Sequence, residues 1–193
     1  MTPARAVILA IDPGKRSGWC VRSGFVATSE SATDGDGRKR AIEVAIEVAK
    51  QTGLPLVVVS EMWSRHGKWS HMTQAGLSAE WGKWLGSLEA ASGLAFLPKL
   101  GRCAAYRGVV RVSSNLWYRL VIGHSGKRGT RNRPVPDNRD ERLARTTQRM
   151  ACNDPDEACA RAIAIWASLA SEVDAALPAA FRRQAIESKG ARQ

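Results

Sequence analysis

Three acidic side chains stand where chemistry could use them. Asp12 closes the apolar run Ala6–Ile11 and precedes Pro13-Gly14, so a short buried strand would deliver it at its carboxyl end. Glu61 follows Leu54–Val59, whose near-continuous apolarity suits a central parallel strand. Ligands of open α/β sheets bind at the carboxyl ends of the strands. The third, Asp156, belongs to a helix that opens Asn153-Asp-Pro-Asp-Glu157. At about 100° per residue it shares a face with Cys159, Ala160, Ile163, Trp166 and Ala167, the apolar face that must pack on the sheet. A carboxylate in that position is costly unless it meets a cation.

Its two neighbours need no chemistry to explain them. Asp154 is a natural helix N-cap, Pro155 suits the first helical position, and Glu157 would complete a capping box. Both are retained as auxiliary acids. Three carboxylates brought together repel one another, and a divalent cation relieves that repulsion. An all-oxygen donor set favours Mg²⁺, with Mn²⁺ as a substitute. If the partner is a polyanion, the matching chemistry is phosphodiester hydrolysis with two ions about 3.5–4 Å apart.

The charge distribution supplies that partner. The 193 residues carry a net charge of +11, and residues 99–149 hold thirteen Lys/Arg against three acids. Eleven of the thirteen are Arg, whose planar fork suits phosphate. The stretch His124–Pro136 is broken by Gly and Pro and reads as a loop carrying Lys127, Arg128, Arg131 and Arg133. Arg139 and Arg142 follow on a basic helix. Lys15, Arg16, Arg65 and Lys68 sit in loops beside the acids and are candidate phosphate contacts. Trp63, directly after the second acidic strand, could stack on an opened base, whereas Trp81 and Trp84 fit a helical core stripe. His66, His71 and His124 have no metal-ligand spacing, and the four cysteines form no CxxC pair. No apolar run approaches a membrane span, and a reducing cytoplasm is the expected compartment.

The elements that must position these residues follow from periodicity. Strands are expected at Ala6–Ile11, Trp19–Arg22 and Gly24–Thr28, the last two antiparallel. A helix over Arg38–Gln51 ends at Gly53, and the strand Leu54–Val59 follows. Further helices are expected from about Thr73 to Ala91, over Ser114–Ile122, over Arg139–Met150 and from Asp154 to about Ser171, with a strand at Gly108–Val112. The order describes a mixed α/β sheet with helices on both faces. It fits a single domain over residues 1–177 with an expanded basic loop at about 124–138, followed by a basic tail at 178–193.

Four stretches then resemble, in order, the divergent RuvC-type Holliday junction resolvases (crossover junction endodeoxyribonucleases). They are ILAIDPGKRSG at 8–18, VVVSE at 57–61, SSNLWYRLVIG at 113–123 and DEACARAIAIW at 156–166. The resemblance implies a ribonuclease H-like fold with a mixed five-stranded sheet, a homodimer, and Mg²⁺-dependent nicking of four-way DNA junctions. It carries catalytic and metal-ligand roles onto Asp12, Glu61 and Asp156. The family's fourth acid falls where this chain has Cys159, read here as a packed, inert substitution. Residues 94–107 look like an insertion. The competing readings are an RNA-processing nuclease resembling the YqgF group and a non-catalytic junction-binding module. An actin-like ATPase would need a second Gly-rich phosphate loop, which the sequence lacks.

Overall fold

The computed structural model describes residues 6–24, 26–62, 71–91, 109–123 and 139–169. Five strands form one sheet: β1 (Val7–Asp12), β2 (Ser17–Ser23), β3 (Val26–Ala32), β4 (Leu56–Met62) and β5 (Val109–Ser113). Their spatial order is β3-β2-β1-β4-β5. The first three pair antiparallel, while β4 lies parallel to β1 and β5 parallel to β4. Helices α1 (Gly35–Thr52) and α2 (His71–Ala90) precede and follow β4. After β5 come the single turn α3 (Ser114–Trp117), a π turn (Tyr118–Ile122), α4 (Arg139–Met150) and α5 (Pro155–Leu169).

Strand alternation divides the core into two layers. Val7, Leu9 and Ile11 of β1 join Leu56 and Val58 of β4, Trp19, and the helical Ala41, Ile42, Ala45, Trp81 and Trp84 on one face. Ile8 and Ala10 join Val57, Val59, Val112, Trp117 and the Ala160–Ala167 stretch of α5 on the other. Fully burying a residue such as Leu9 or Ile163 contributes roughly 1.5–3 kcal/mol. The same alternation turns Asp12 and Glu61 toward the α5 face. The register that sets Ile11 opposite Ser60 places Asp12 beside Glu61 one residue further on.

The expected elements are present with shifted ends. Helix α1 begins three residues before the expected Arg38, because Asp34 caps it by accepting from the Gly37 N–H at 2.8 Å. Periodicity cannot see that turn, which contains Gly35 and Gly37 and no apolar residue. Gly53 terminates the helix at φ 65°, in the left-handed conformation. Strand β4 runs past Val59 to include Glu61, so that acid sits within the paired strand. The segments 63–70, 94–107 and 124–138, and the tail, lie outside the described residues. No helix among the described residues is long and apolar enough to cross a membrane.

Candidate active site

A cleft of about 580 Å³ opens at the carboxyl ends of β1 and β4. Asp12, Glu61, Asp156 and Cys159 line it, with Arg16, Ser114, Trp117, Arg139 and Arg142 around them. The three acids come from β1, β4 and α5, elements separated widely in sequence.

Each acid is held by identifiable neighbours. Gly18 of β2 pairs opposite Asp12, and a Cβ there would overlap the carbonyl of Asp156. The missing side chain is what lets the first turn of α5 rest on the sheet beside Asp12. The turn after Asp12 is pinned from below. Ser17 is buried, donates its hydroxyl to the Gly14 carbonyl at 3.0 Å, and accepts from the Trp84 indole at 3.1 Å. Glu61 accepts from the Trp117 indole Nε1 at 3.2 Å, and the Ser114 side chain also favours its ionised form. Arg142 stacks its guanidinium 4.5 Å from the centre of the Tyr118 ring and donates to the Ser114 carbonyl at 3.4 Å. Tyr118 in turn packs edge-on against Trp117.

All three carboxyls of the cleft are held toward their protonated form. Burial pushes the Asp12 carboxyl well above the usual range, and the charges of Glu61 and Asp156 push it further. Hydrogen bonding from Cys159 and the nearby Arg139 only partly oppose this. Burial also raises Glu61, against the contacts from Trp117 and Ser114 and the charge of Arg142. Asp156 is raised by burial, opposed by Arg16 and Arg139. A bound cation would reverse all three shifts, and carboxylate oxygens are the donors that Mg²⁺ or Mn²⁺ takes. Among the described residues, no group of three or more His, Cys, Asp or Glu side chains is arranged to hold one ion. The all-carboxylate donor set of Asp12, Glu61 and Asp156 fits a hard divalent cation in its chemistry.

The auxiliary acids do not join the cleft. Asp154 caps α5, its Oδ1 accepting from the N–H groups of Asp156 at 2.9 Å and Glu157 at 3.2 Å. Its Oδ2 pairs with Arg16 and accepts from Ser31. Glu157 makes no reciprocal capping contact, which corrects the capping-box expectation. Its Oε1 accepts instead from Ser29 at 2.7 Å and from Arg161 at 2.8 Å, tying α5 to β3. Burial raises the Glu157 carboxyl, but the contacts from Ser29, Cys152 and Arg161 outweigh it and leave it below the usual range.

Cys159 is buried and lines the cleft beside Asp12, where its thiol opposes the rise of that carboxyl. Burial, with Asp12 and Glu61 nearby, holds the thiol far above its ordinary range, so it stays protonated.

Of the candidate phosphate contacts, Arg139 and Arg142 line the cleft with Arg16, whereas exposed Lys15 does not. Trp63, Arg65, Lys68, Lys127, Arg128, Arg131 and Arg133 lie outside the described residues. Sequence reasoning gave no role to Gly18, Ser17, Ser114 or Trp117. A glycine inside a strand and a buried indole that needs an acceptor were the available signals.

No protein-family model and no curated protein matches the chain. Among solved structures it is similar to T. thermophilus RuvC in complex with Holliday junction substrate. The TM-score is 0.50 at 15% sequence identity, covering 90% of this chain and 99% of that chain. The fold is RuvC-like, of the ribonuclease H type. The five-stranded mixed sheet with its helices is thus that of a known α/β architecture.

Proposed function

We propose that this chain is a structure-specific DNA endonuclease that cuts four-way junctions by metal-dependent phosphodiester hydrolysis. The observation that carries the reading is the convergence of Asp12, Glu61 and Asp156 on one arginine-rimmed cleft, each carboxyl held above its usual range by burial. The solved neighbour of the same fold is bound to a Holliday junction, which supports branched DNA as the substrate class. The net charge of residues 99–149 supports a polyanionic partner.

Asp12, Glu61 and Asp156 would hold Mg²⁺ or Mn²⁺. Divalent ions in such a site supply a lowered pKa for the attacking water and stabilise the leaving 3′-oxygen. The chain's own groups do the rest. Trp117 and Ser114 fix the orientation of Glu61. Arg139 and Arg142, at the cleft wall, are placed to take the phosphate. Ser17 and Trp84 keep the Asp12–Gly14 turn from shifting. A homodimer would present two such clefts to the two opposed strands of a junction.

The test is to incubate the protein with a fixed four-way junction, a duplex, a flap and an RNA hairpin in Mg²⁺ and map the nicks. Paired, symmetric nicks in the junction, lost in chelator and in Asp12→Asn, Glu61→Gln or Asp156→Asn, are expected. These variants should still bind DNA, since each removes negative charge near phosphate. Cleavage confined to the hairpin would favour an RNA-processing nuclease. Binding without cleavage would favour a junction-binding module. Light scattering that shows a stable monomer making single nicks would remove the dimer.

A further inference from the structure

Arg16 sits on the rim of the cleft with its side chain half exposed, engaged by two acids of unequal freedom. Asp154 is fixed: one oxygen caps α5, and the other accepts from Ser31 of β3 and pairs with Arg16 Nη2. Arg16 Nε donates to Ser31 Oγ at 3.2 Å and stands 3.6 Å from Asp156 Oδ2. That guanidinium, ahead of the charge of Arg139, opposes the burial of the Asp156 carboxylate. Arg16 thus pairs with Asp154 at one end of its guanidinium and shares its Nε edge between Ser31 and Asp156.

We propose that Arg16 is a positioning residue that couples phosphate binding to cation binding at Asp156. As the chain is folded, its guanidinium edge stands against Asp156. A phosphodiester entering the cleft draws the same donors to its own oxygens, because bidentate Arg–phosphate pairing is strong and Arg has five N–H donors to redistribute. Arg16 stays tethered through Asp154, while the Asp156 carboxylate is released toward Asp12. The third acid then becomes available only when substrate is present. This inference rests on the nuclease reading above.

Binding linkage is reciprocal, so the coupling is measured as the ratio of cation affinities with and without DNA. Free Mn²⁺ is followed by its electron paramagnetic resonance signal in the full-length protein, alone and with a four-way junction kept cold and checked intact afterward. Wild type should bind Mn²⁺ weakly alone and about fivefold or more tightly with the junction, in the range of ordinary allosteric coupling. Arg16→Gln should bind Mn²⁺ more tightly than wild type in the absence of DNA and gain little more when the junction is added. Arg16→Lys keeps the charge but lacks the fork, and should return the DNA-free affinity toward wild type. If Arg16→Gln tightens Mn²⁺ equally with and without DNA, the effect is through-space charge alone and the coupling role is overturned. Unchanged DNA-free affinity in Arg16→Gln overturns it too. Wild type that takes up no Mn²⁺ under either condition, or takes it up equally in Asp12→Asn, overturns the nuclease reading and this inference together.

Discussion

The backbone of Gly18 supports the Asp156 carbonyl directly, with no room for a Cβ between them. Because Gly18 also pairs with Asp12, one glycine sets the distance between the acid of β1 and the acid of α5. Gly18→Ala must lift the first turn of α5 off the sheet, since the obstructing atoms are backbone and cannot rotate away. Overpacking of this kind costs about 1–3 kcal/mol. We expect a lower melting temperature together with a loss of cleavage larger than that stability change explains. Near-normal activity in a folded Gly18→Ala protein would show that Asp156 need not sit beside Asp12.

Trp117 offers a substitution that separates packing from hydrogen bonding. Trp117→Phe keeps an aromatic ring against Tyr118 and removes the Nε1 donor at Glu61. The lost bond is worth about 0.5–1.5 kcal/mol, or more to a charged acceptor. The bond favours the ionised carboxylate, so its removal raises Glu61 further. If ionised Glu61 is needed, the acidic limb of the pH–rate profile moves to higher pH. A profile that merely drops in height, with its limb in place, would assign Trp117 to packing alone.

Stability without metal should fall as pH rises. Asp12, Glu61 and Asp156 hold their protons to higher pH in the folded chain than in the unfolded one. Between the ordinary carboxylate range and the raised folded values the native state carries more bound protons, so rising pH favours unfolding. The loss is complete above the folded values. Glu157 runs the other way: its contribution is present above the usual carboxylate range and is lost as pH falls. In chelator the melting temperature should be higher at about pH 5 than at about pH 8. Added Mg²⁺ should recover the difference by binding the native state. Asp12→Asn should flatten the slope. A flat metal-free profile that Mg²⁺ does not move would contradict the charge accounting of the cleft.

What the sequence made legible was periodicity and the order of the elements. The strand pattern and the helical face of Asp156 are local properties, and both appear in the fold as expected. The beginning of α1 was not legible, because a capped glycine turn carries no apolar signal. Nor were the contacts of Arg16, Glu157 and Cys159, which depend on side chains from distant elements. Glu157 shows the reason most clearly. Its spacing from Asp154 matches a capping box, yet Ser29 and Arg161 together offer its carboxylate a hydroxyl and a cation that the helix backbone cannot match.

Cys159 is the residue where this site can be tuned. Its thiol lines the cleft with Asp12, one turn beyond Asp156 on the face of α5 that meets the sheet, and favours the ionised form of that carboxyl. Sulfur is a poor ligand for Mg²⁺, so its contribution is to orient Asp12 and to keep the charge of the cleft at three carboxylates. Cys159→Ser keeps a donor in a shorter side chain and should retain most cleavage. Cys159→Ala frees Asp12 to rotate and should lower cleavage and weaken Mn²⁺ binding, without approaching the loss in Asp156→Ala. Cys159→Asp adds a fourth carboxylate beside an Asp12 that is already raised by its neighbours. In chelator that variant should melt below wild type at neutral pH, because like charges so close cannot all ionise cheaply. With Mg²⁺ present the order should reverse, and less metal should be needed for cleavage. Thermal melts in chelator and across a Mg²⁺ titration check both halves. A Cys159→Asp protein no more metal-dependent in its melting than wild type would mean that position 159 does not face the cation.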